Sequence, residues 1–291
     1  MVKKKYHKKF PVAEVVVIII IIAIMAVSGV FLANNIKISD YIVETNAFFA
    51  PFEFYEGREI VGVDVEIINR VAEKMDKVIS VKNVEFDVII DNVEAGKIAD
   101  AGAAGLTITP AREAKVNFSI PYYTSAQYII YSKKMPVELR GGHFTWEMLA
   151  GKTLGSQMGS TGYLFTADVI SDGVLKDTGT VLKGLESHQL ASDAIEAQIV
   201  DVVIADELAA EFIVDKNPGL ALAPLYEQGE NIEDDEPVEE SYAIVVNKNH
   251  PELLEAFNEV LTEMIKKDPK GISQIDRLVI KYMGLAEEID E

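Results

Sequence analysis

The stretch Ala104-Gly105-Leu106-Thr107-Ile108-Thr109-Pro110-Ala111-Arg112 holds residues suited to gripping a ligand. Small residues let backbone come close to a bound group, and the two Thr hydroxyls can donate or accept hydrogen bonds. Thr109-Pro110 predicts a helix start, with Thr as N-cap and Pro at N1. Arg112 then falls in the first turn, where the helix dipole favours acids. A guanidinium at that end reinforces a positive site instead, and its fork matches a carboxylate or phosphate in bidentate fashion. The same residues fit a plain strand–helix junction with a surface Arg, and this stretch alone leaves both readings open.

A second glycine- and hydroxyl-rich loop, Gln157-Met158-Gly159-Ser160-Thr161-Gly162, precedes a helix expected over 163–170. Its backbone amides suit an anion. It lacks the Lys-Ser/Thr ending of a P-loop, so a nucleotide phosphate site is poorly supported. Asp206 stands where the apolar run 200–205 meets a helix expected over 208–214; helix N-cap and cation contact are both open to it. Phe48, Phe49, Phe52 and Phe54 are interrupted by Pro51, so they cannot all be buried along one regular element. Either one ring lines a cleft, or the group is a core cluster under a loop.

These residues need a scaffold, and the chain alternates strand-like with helix-like runs. Strands are expected over 36–45, 60–63, 78–86, 98–104, 128–131, 151–155, 200–205 and 241–246. Helices are expected over 64–75 (capped by Asp64), 88–95 (closed by Gly96), 191–198, 251–267 and 271–283, besides those already given. This alternation predicts a mostly parallel α/β sheet with sites at strand C-terminal ends. The acidic run 227–240, without apolar period, reads as an exposed, solvated loop rather than a metal site.

Composition narrows the function. Of 291 residues, 27 are basic and 47 acidic, for a net charge of −20. The first 33 residues hold five Lys and one Glu, leaving 22 basic and 46 acidic residues, a balance of −24. Such a body repels nucleic acid and anionic membrane surfaces. The chain has no Cys, which excludes disulfides, thiol catalysis, Cys-rich zinc sites and a lipidated-cysteine anchor. Nothing calls for a metal or cofactor. Lys3, Lys4, Lys5, Lys8 and Lys9 precede an apolar run over 15–33. As a helix it would span about 28 Å, against ~30 Å of hydrocarbon, and the basic flank predicts that the body crosses the membrane. Residues 1–35 therefore read as a membrane anchor or a cleaved signal peptide.

Six segments, in order, resemble the bacterial extracellular solute-binding proteins of family 3, which bind polar amino acids for ABC transporters and include the glutamine- and histidine-binding proteins. They are Phe49-Ala50-Pro51-Phe52-Glu53-Phe54, Val61-Gly62-Val63-Asp64-Val65, the stretch 104–112, Phe118-Ser119-Ile120-Pro121-Tyr122-Tyr123, Gly159-Ser160-Thr161-Gly162, and Asp206. The resemblance implies two α/β lobes joined by two crossover strands in a type II binding-protein fold. Lobe one would be 36–124 plus 242–291, and lobe two 125–241. It further implies that Arg112 clamps the ligand α-carboxylate and that Thr107 and the Gly105 amide contact the amino-acid backbone. Thr161, beside Ser160, would add a donor from lobe two, Asp206 would take the α-ammonium, and Phe49 and Phe86 would sandwich the side chain. Relatives selective for basic side chains carry an acid where Asn46 stands, and glutamine binders pair that acid with a Lys where Gln157 stands. With two neutral amides here, a polar side chain of little or no charge is expected. The implied partners are an amino acid and the permease's membrane subunits, with a monomeric receptor.

Two other classes compete. A dehydratase of the prephenate or arogenate type on the same fold needs a general acid or base in the cleft. His7, His143, His188 and His250 all lie outside the six segments, and Glu53 and Glu207 each have a structural explanation. An anchored sensor needs an output domain, and the roughly 14 residues before the apolar run are too few to fold one.

Overall fold

Two mixed sheets carry residues 39–284, the part of the chain that the computed structural model describes. The helix expected over 15–33, with the whole of 1–35, lies outside the described residues. Among the described residues no helix is long and apolar enough to cross a membrane.

The first sheet is built on β1 (Tyr41–Thr45). A small hairpin sheet follows, of β2 (Phe48–Phe49), β3 (Glu53–Glu56) and β4 (Glu59–Val61), and then α1 (Val63–Met75). β5 (Ile79–Asn83) pairs with β1 in parallel register, Tyr41 opposite Ile79. After α2 (Ile89–Ala95), β6 (Ala101–Gly102) pairs with the other edge of β1, leads through 103–109 into α3 (Pro110–Lys115), and is followed by β7 (Asn117–Phe118). The long β8 (Tyr123–Ser132) then leaves for the second sheet.

That sheet contains β9 (Phe144–Thr145), β10 (Thr153–Gln157), α4 (Thr161–Ser171), β11 (Val181–Leu185), α5 (Ala191–Glu196), β12 (Val202–Asp206), α6 (Glu207–Lys216), β13 (Leu220–Glu227) and β14 (Glu236–Pro237). Strand order is β11-β10-β12-β8-β13-β14, with β9 beside β13. The return strand β15 (Glu239–Tyr242) pairs antiparallel with the first half of β8, Tyr242 opposite Tyr123. β16 (Val245–Val246) then rejoins the first sheet, giving the order β5-β1-β6-β16-β7. Helices α7 (Pro251–Met264) and α8 (Gln274–Tyr282) are the last elements of the described residues.

Side-chain alternation makes each sheet two-sided. Ile244 and Val246 enter the core formed with α1, α7 and α8, while Val245 faces the opposite core with Ile89, Val93 and Leu106. In the second sheet Val202 and Ile204 face Trp146 and Leu149, and Val203 and Ala205 face α5 and α6. Each sheet with its two helical layers is a lobe. The expected mostly parallel sheet proves mixed, because β8, β13, β15 and β16 run against their neighbours.

The run 227–240 departs from the expected loop. It forms a 3₁₀ turn (Ile232–Asp234), β14 and the start of β15. The Asp235 side chain is buried: it accepts from Arg140 Nε at 2.7 Å and the Gly229 amide at 2.8 Å, and lies 2.7 Å from His143 Nε2. Arg140 and His143 are remote in sequence, so composition alone could not show that the run is pinned.

Candidate functional site

Three strand ends converge between the lobes. The turn after β6 presents Gly105 and Thr107, the end of β10 and start of α4 present Gln157, Ser160 and Thr161, and β12 ends on Asp206. With Phe49, Phe86 and His188 these residues line one cavity of about 10 Å³. That is room for about one water, so a larger ligand requires the lobes to part. Eight of the ten expected residues line it. Asn46 reaches it through Gln157, whose Nε2 donates to Asn46 Oδ1 at 2.9 Å.

Arg112 is the exception. It lines a neighbouring cavity of about 250 Å³ that shares Phe86 with the first. Thr109 caps α3 as expected, its Oγ1 accepting from the Arg112 amide at 3.3 Å, with Pro110 at N1. The guanidinium is buried, not a surface group. Nη1 donates to the Thr107 carbonyl at 2.8 Å and Nη2 to the Gly159 carbonyl at 2.9 Å, so it ties the lobes together. Its Cζ lies 5.9 Å from the Phe86 ring centroid. Burial lowers its pKa, opposed by the charges of Glu240 and Asp206.

Asp206 occupies the N-cap position of α6 but makes no side-chain cap bond. Its carboxylate turns into the cleft, accepting from Gln127 Nε2 at 2.6 Å and the Tyr242 hydroxyl at 2.5 Å. Gln127 Nε2 also donates to Glu240 Oε1 at 2.6 Å, and Thr107 and Thr161 donate to Glu240 Oε2 at 2.5 Å each. Burial pushes the Glu240 pKa well above the usual range; the charge of Asp206 adds to this and the Thr bonds oppose it.

The Gly105 amide is spent on lobe one, donating to Asp64 Oδ2 at 3.1 Å rather than facing a ligand as expected. Gly105 serves instead by lacking a side chain. Its φ is +55°, and a Cβ there would lie 2.5 Å from Phe49 Cε1. Asp64 is not the cap of α1, a position held by Gly62. It accepts from the Tyr122 hydroxyl at 2.6 Å, and burial raises its pKa to about 6 against the bonds from Tyr122, Gly105 and Glu53. Glu53 is 0% exposed, and neither of its carboxyl oxygens meets an N–H or O–H donor among the described residues. Burial and then the charge of Asp64 push its pKa well up, which favours the protonated carboxyl.

The Phe cluster satisfies both expectations. Phe52 is buried against Tyr123 and Tyr242, each with ring centroids at 5.1 Å, while Phe49 stacks on it at 5.5 Å and reaches the cavity. Phe48, the ring before it, is 38% exposed. Sequence reasoning missed Glu240, Gln127, Tyr242 and His188. Glu240 was hidden inside an acidic run, and His188 has no neighbouring motif. Among the described residues no cluster of His, Cys, Asp and Glu is placed to hold a metal.

The profile of the bacterial extracellular solute-binding proteins, family 3, matches residues 41–284. The arginine-binding extracellular protein ArtP of Bacillus subtilis is 31% identical over 231 residues, covering 77% of this chain and 80% of ArtP. The substrate-binding protein AbpA of an amino-acid ABC transporter from Streptococcus pneumoniae, solved bound to L-arginine, superposes with a TM-score of 0.70 at 26% identity, over 84% of this chain and 95% of AbpA. An ancestral arginine-binding protein solved bound to glutamine gives 0.66 at 30% identity, over 84% and 97%. The chain belongs to the bacterial extracellular solute-binding proteins, family 3, and is a binding protein rather than an enzyme.

Proposed function

We propose that this protein binds a free α-amino acid with a polar, uncharged side chain between its lobes, outside the cytoplasm, and delivers it as a monomer to an ABC permease. The observation that carries the reading is the placement of Arg112 on α3 of lobe one and Asp206 at the end of β12 in lobe two. A zwitterion needs a guanidinium at one end and a carboxylate at the other. With the two on opposite lobes, both engage only on closure, where lost water strengthens each charge-assisted bond. In this reading Arg112 swings from the Thr107 and Gly159 carbonyls onto the α-carboxylate and Asp206 takes the α-ammonium. Thr107, Thr161 and Ser160 complete the polar end, while Phe49 and Phe86 enclose the side chain. β8 and β15 act as the hinge, with 36–124 plus 242–291 on one side and 125–241 on the other.

The names of the relatives favour arginine instead, and the net charge of −20 attracts a cation. At the side-chain end, however, the neutral pair Asn46 and Gln157 offers a guanidinium no counter-charge. A thermal-shift screen of the twenty amino acids, followed by calorimetry, tests both readings. A ligand at 100 times its Kd adds ~2.7 kcal/mol of stability. Tighter binding of L-glutamine, L-asparagine or L-serine than of L-arginine supports the uncharged reading, and the reverse order overturns it.

A further inference from the structure

His188 opens the 3₁₀ turn before α5, outside every segment expected to touch ligand. The structure nonetheless sets it on the wall of the small cavity, 3% exposed, with its ring centroid 5.5 Å from that of Phe49. Its Nδ1 is buried and has no hydrogen-bond partner among the described residues. A buried polar atom left this way carries a free-energy cost, and its presence at a binding cavity asks for a reason. Burial lowers the pKa of the ring, against the pull of Asp206, which favours the neutral imidazole. A neutral imidazole offers one N–H and one lone pair, and its partners choose the tautomer.

Gln157 lines the same cavity. Its Nε2 is committed to Asn46 Oδ1 at 2.9 Å and to the Glu186 carbonyl at 3.3 Å, two residues before His188. What Gln157 retains for a ligand is therefore its carbonyl oxygen, an acceptor. A ring N–H and an amide oxygen form a mixed donor–acceptor pair. A side-chain carboxamide matches both members. In the tautomer that turns the ring N–H to the ligand, a guanidinium or ammonium only donates and leaves that N–H unmatched, while a carboxylate only accepts and leaves the Gln157 oxygen unmatched; the other tautomer presents a lone pair and suits a donor-only group.

We propose that His188 is a specificity-determining residue that donates its ring N–H to the oxygen of a ligand side-chain carboxamide while Gln157 Oε1 accepts from the carboxamide nitrogen. This rests on the amino-acid reading above and narrows it to glutamine-like ligands. The competing role is plain packing of the ring against Phe49, and the two roles separate by experiment.

Calorimetry on the full chain with L-glutamine and with L-norvaline, which keeps the aliphatic stem but lacks the amide, supplies the test. His188→Phe preserves an aromatic slab, and His188→Asn restores a donor. The wild type is expected to prefer L-glutamine strongly, with His188→Phe cutting that preference by about tenfold or more through loss of L-glutamine binding alone, and His188→Asn recovering part of it. Equal loss of both ligands, or no change in their ratio, assigns His188 to packing and overturns the proposal. Wild-type binding of L-arginine but not L-glutamine overturns the carboxamide inference while leaving amino-acid binding intact. Binding of none of the twenty amino acids removes the underlying reading itself.

Discussion

Glu240 Oε2, on the return strand β15, accepts the Thr161 hydroxyl at 2.5 Å from the first turn of α4. The Thr107 hydroxyl from lobe one meets the same oxygen, also at 2.5 Å. A hydroxyl that gives its only proton to a carboxylate has lone pairs alone left for a ligand. Above its raised pKa, ionised Glu240 turns both Thr residues into acceptors, which suits an ammonium group, and this polarity is invisible in the residue types.

Glu240→Gln tests that polarity. The amide keeps the shape but can donate to the Thr oxygens, and it carries no charge. Weakening of amino-acid affinity by about tenfold at pH 8 is expected, the scale of one hydrogen bond to a charged group. Because burial beside Asp206 raises the Glu240 pKa, wild-type affinity should climb as pH rises through that value, with Arg112 as the opposing charge nearby. The variant should lose that slope. Calorimetry from pH 5 to 8 checks it, and parallel pH profiles would refute the assignment.

Arg112→Lys is expected to cost nearly as much binding as Arg112→Ala, about 100-fold or more. Once it leaves the Thr107 and Gly159 carbonyls, the planar fork can hold both oxygens of the α-carboxylate at once, which a single ammonium on a shorter stem cannot do in the same way. Titration of both variants with L-glutamine and L-arginine decides it. A Lys variant within a few-fold of wild type would show that only the charge matters.

Gly105→Ala introduces a side chain where φ is +55° and the new carbon meets Phe49 Cε1 at 2.5 Å. The backbone penalty alone is about 1–2 kcal/mol. Phe49 must also shift, and with it one wall of the cavity. Thermal denaturation should report the first effect and calorimetry the second. Unchanged binding would mean that Phe49 does not enclose the ligand.

Glu53→Gln should stabilise the protein increasingly as pH rises. The Glu53 carboxyl keeps its proton when folded and loses it when unfolded, so between those two pKa values the folded state binds more protons and stability falls with rising pH. Gln removes that slope, which is at most about 1.4 kcal/mol per pH unit. Asp64, raised to about 6, adds a slope of the same sign below that pH in both proteins. The difference in Tm between variant and wild type is therefore expected to grow from pH 5 to pH 8. A constant difference would refute a raised pKa at Glu53 in the folded state.

Helix and strand periodicity and turn chemistry made α1, α2, α7 and the capped start of α3 legible in the sequence, because each depends on neighbours within a turn or two. The site segments were legible for the same reason: Thr109-Pro110 and Ser160-Thr161 announce helix starts locally. Long-range pairings were not. Gly105 to Asp64 spans 41 residues, and Gln127 to Glu240 spans 113. No local pattern encodes which amide a carboxylate will take, so the Gly105 contact was assigned to ligand and Glu240 to solvent. Strand direction failed likewise, since the antiparallel return of β15 along β8 is set by where the chain crosses between lobes.

Asn46→Asp asks what sets the ligand's charge. Asn46 is 2% exposed, donates to the Val84 carbonyl at 2.8 Å, and accepts from Gln157 at 2.9 Å. An aspartate in its place keeps the bond from Gln157 but loses the donor to Val84 and buries an anion. Without a cation nearby such a carboxylate takes up a proton, and a guanidinium entering the side-chain end supplies that cation. L-arginine affinity should therefore rise relative to L-glutamine by about tenfold or more, and the gain should fade as pH drops toward the new group's pKa. Calorimetry of the two ligands at pH 8 and pH 5 separates this from a general loosening, which would lower both affinities together. If the ratio stays fixed while both ligands still bind, position 46 does not face the side chain, and discrimination must come from another residue of the cavity wall such as His188.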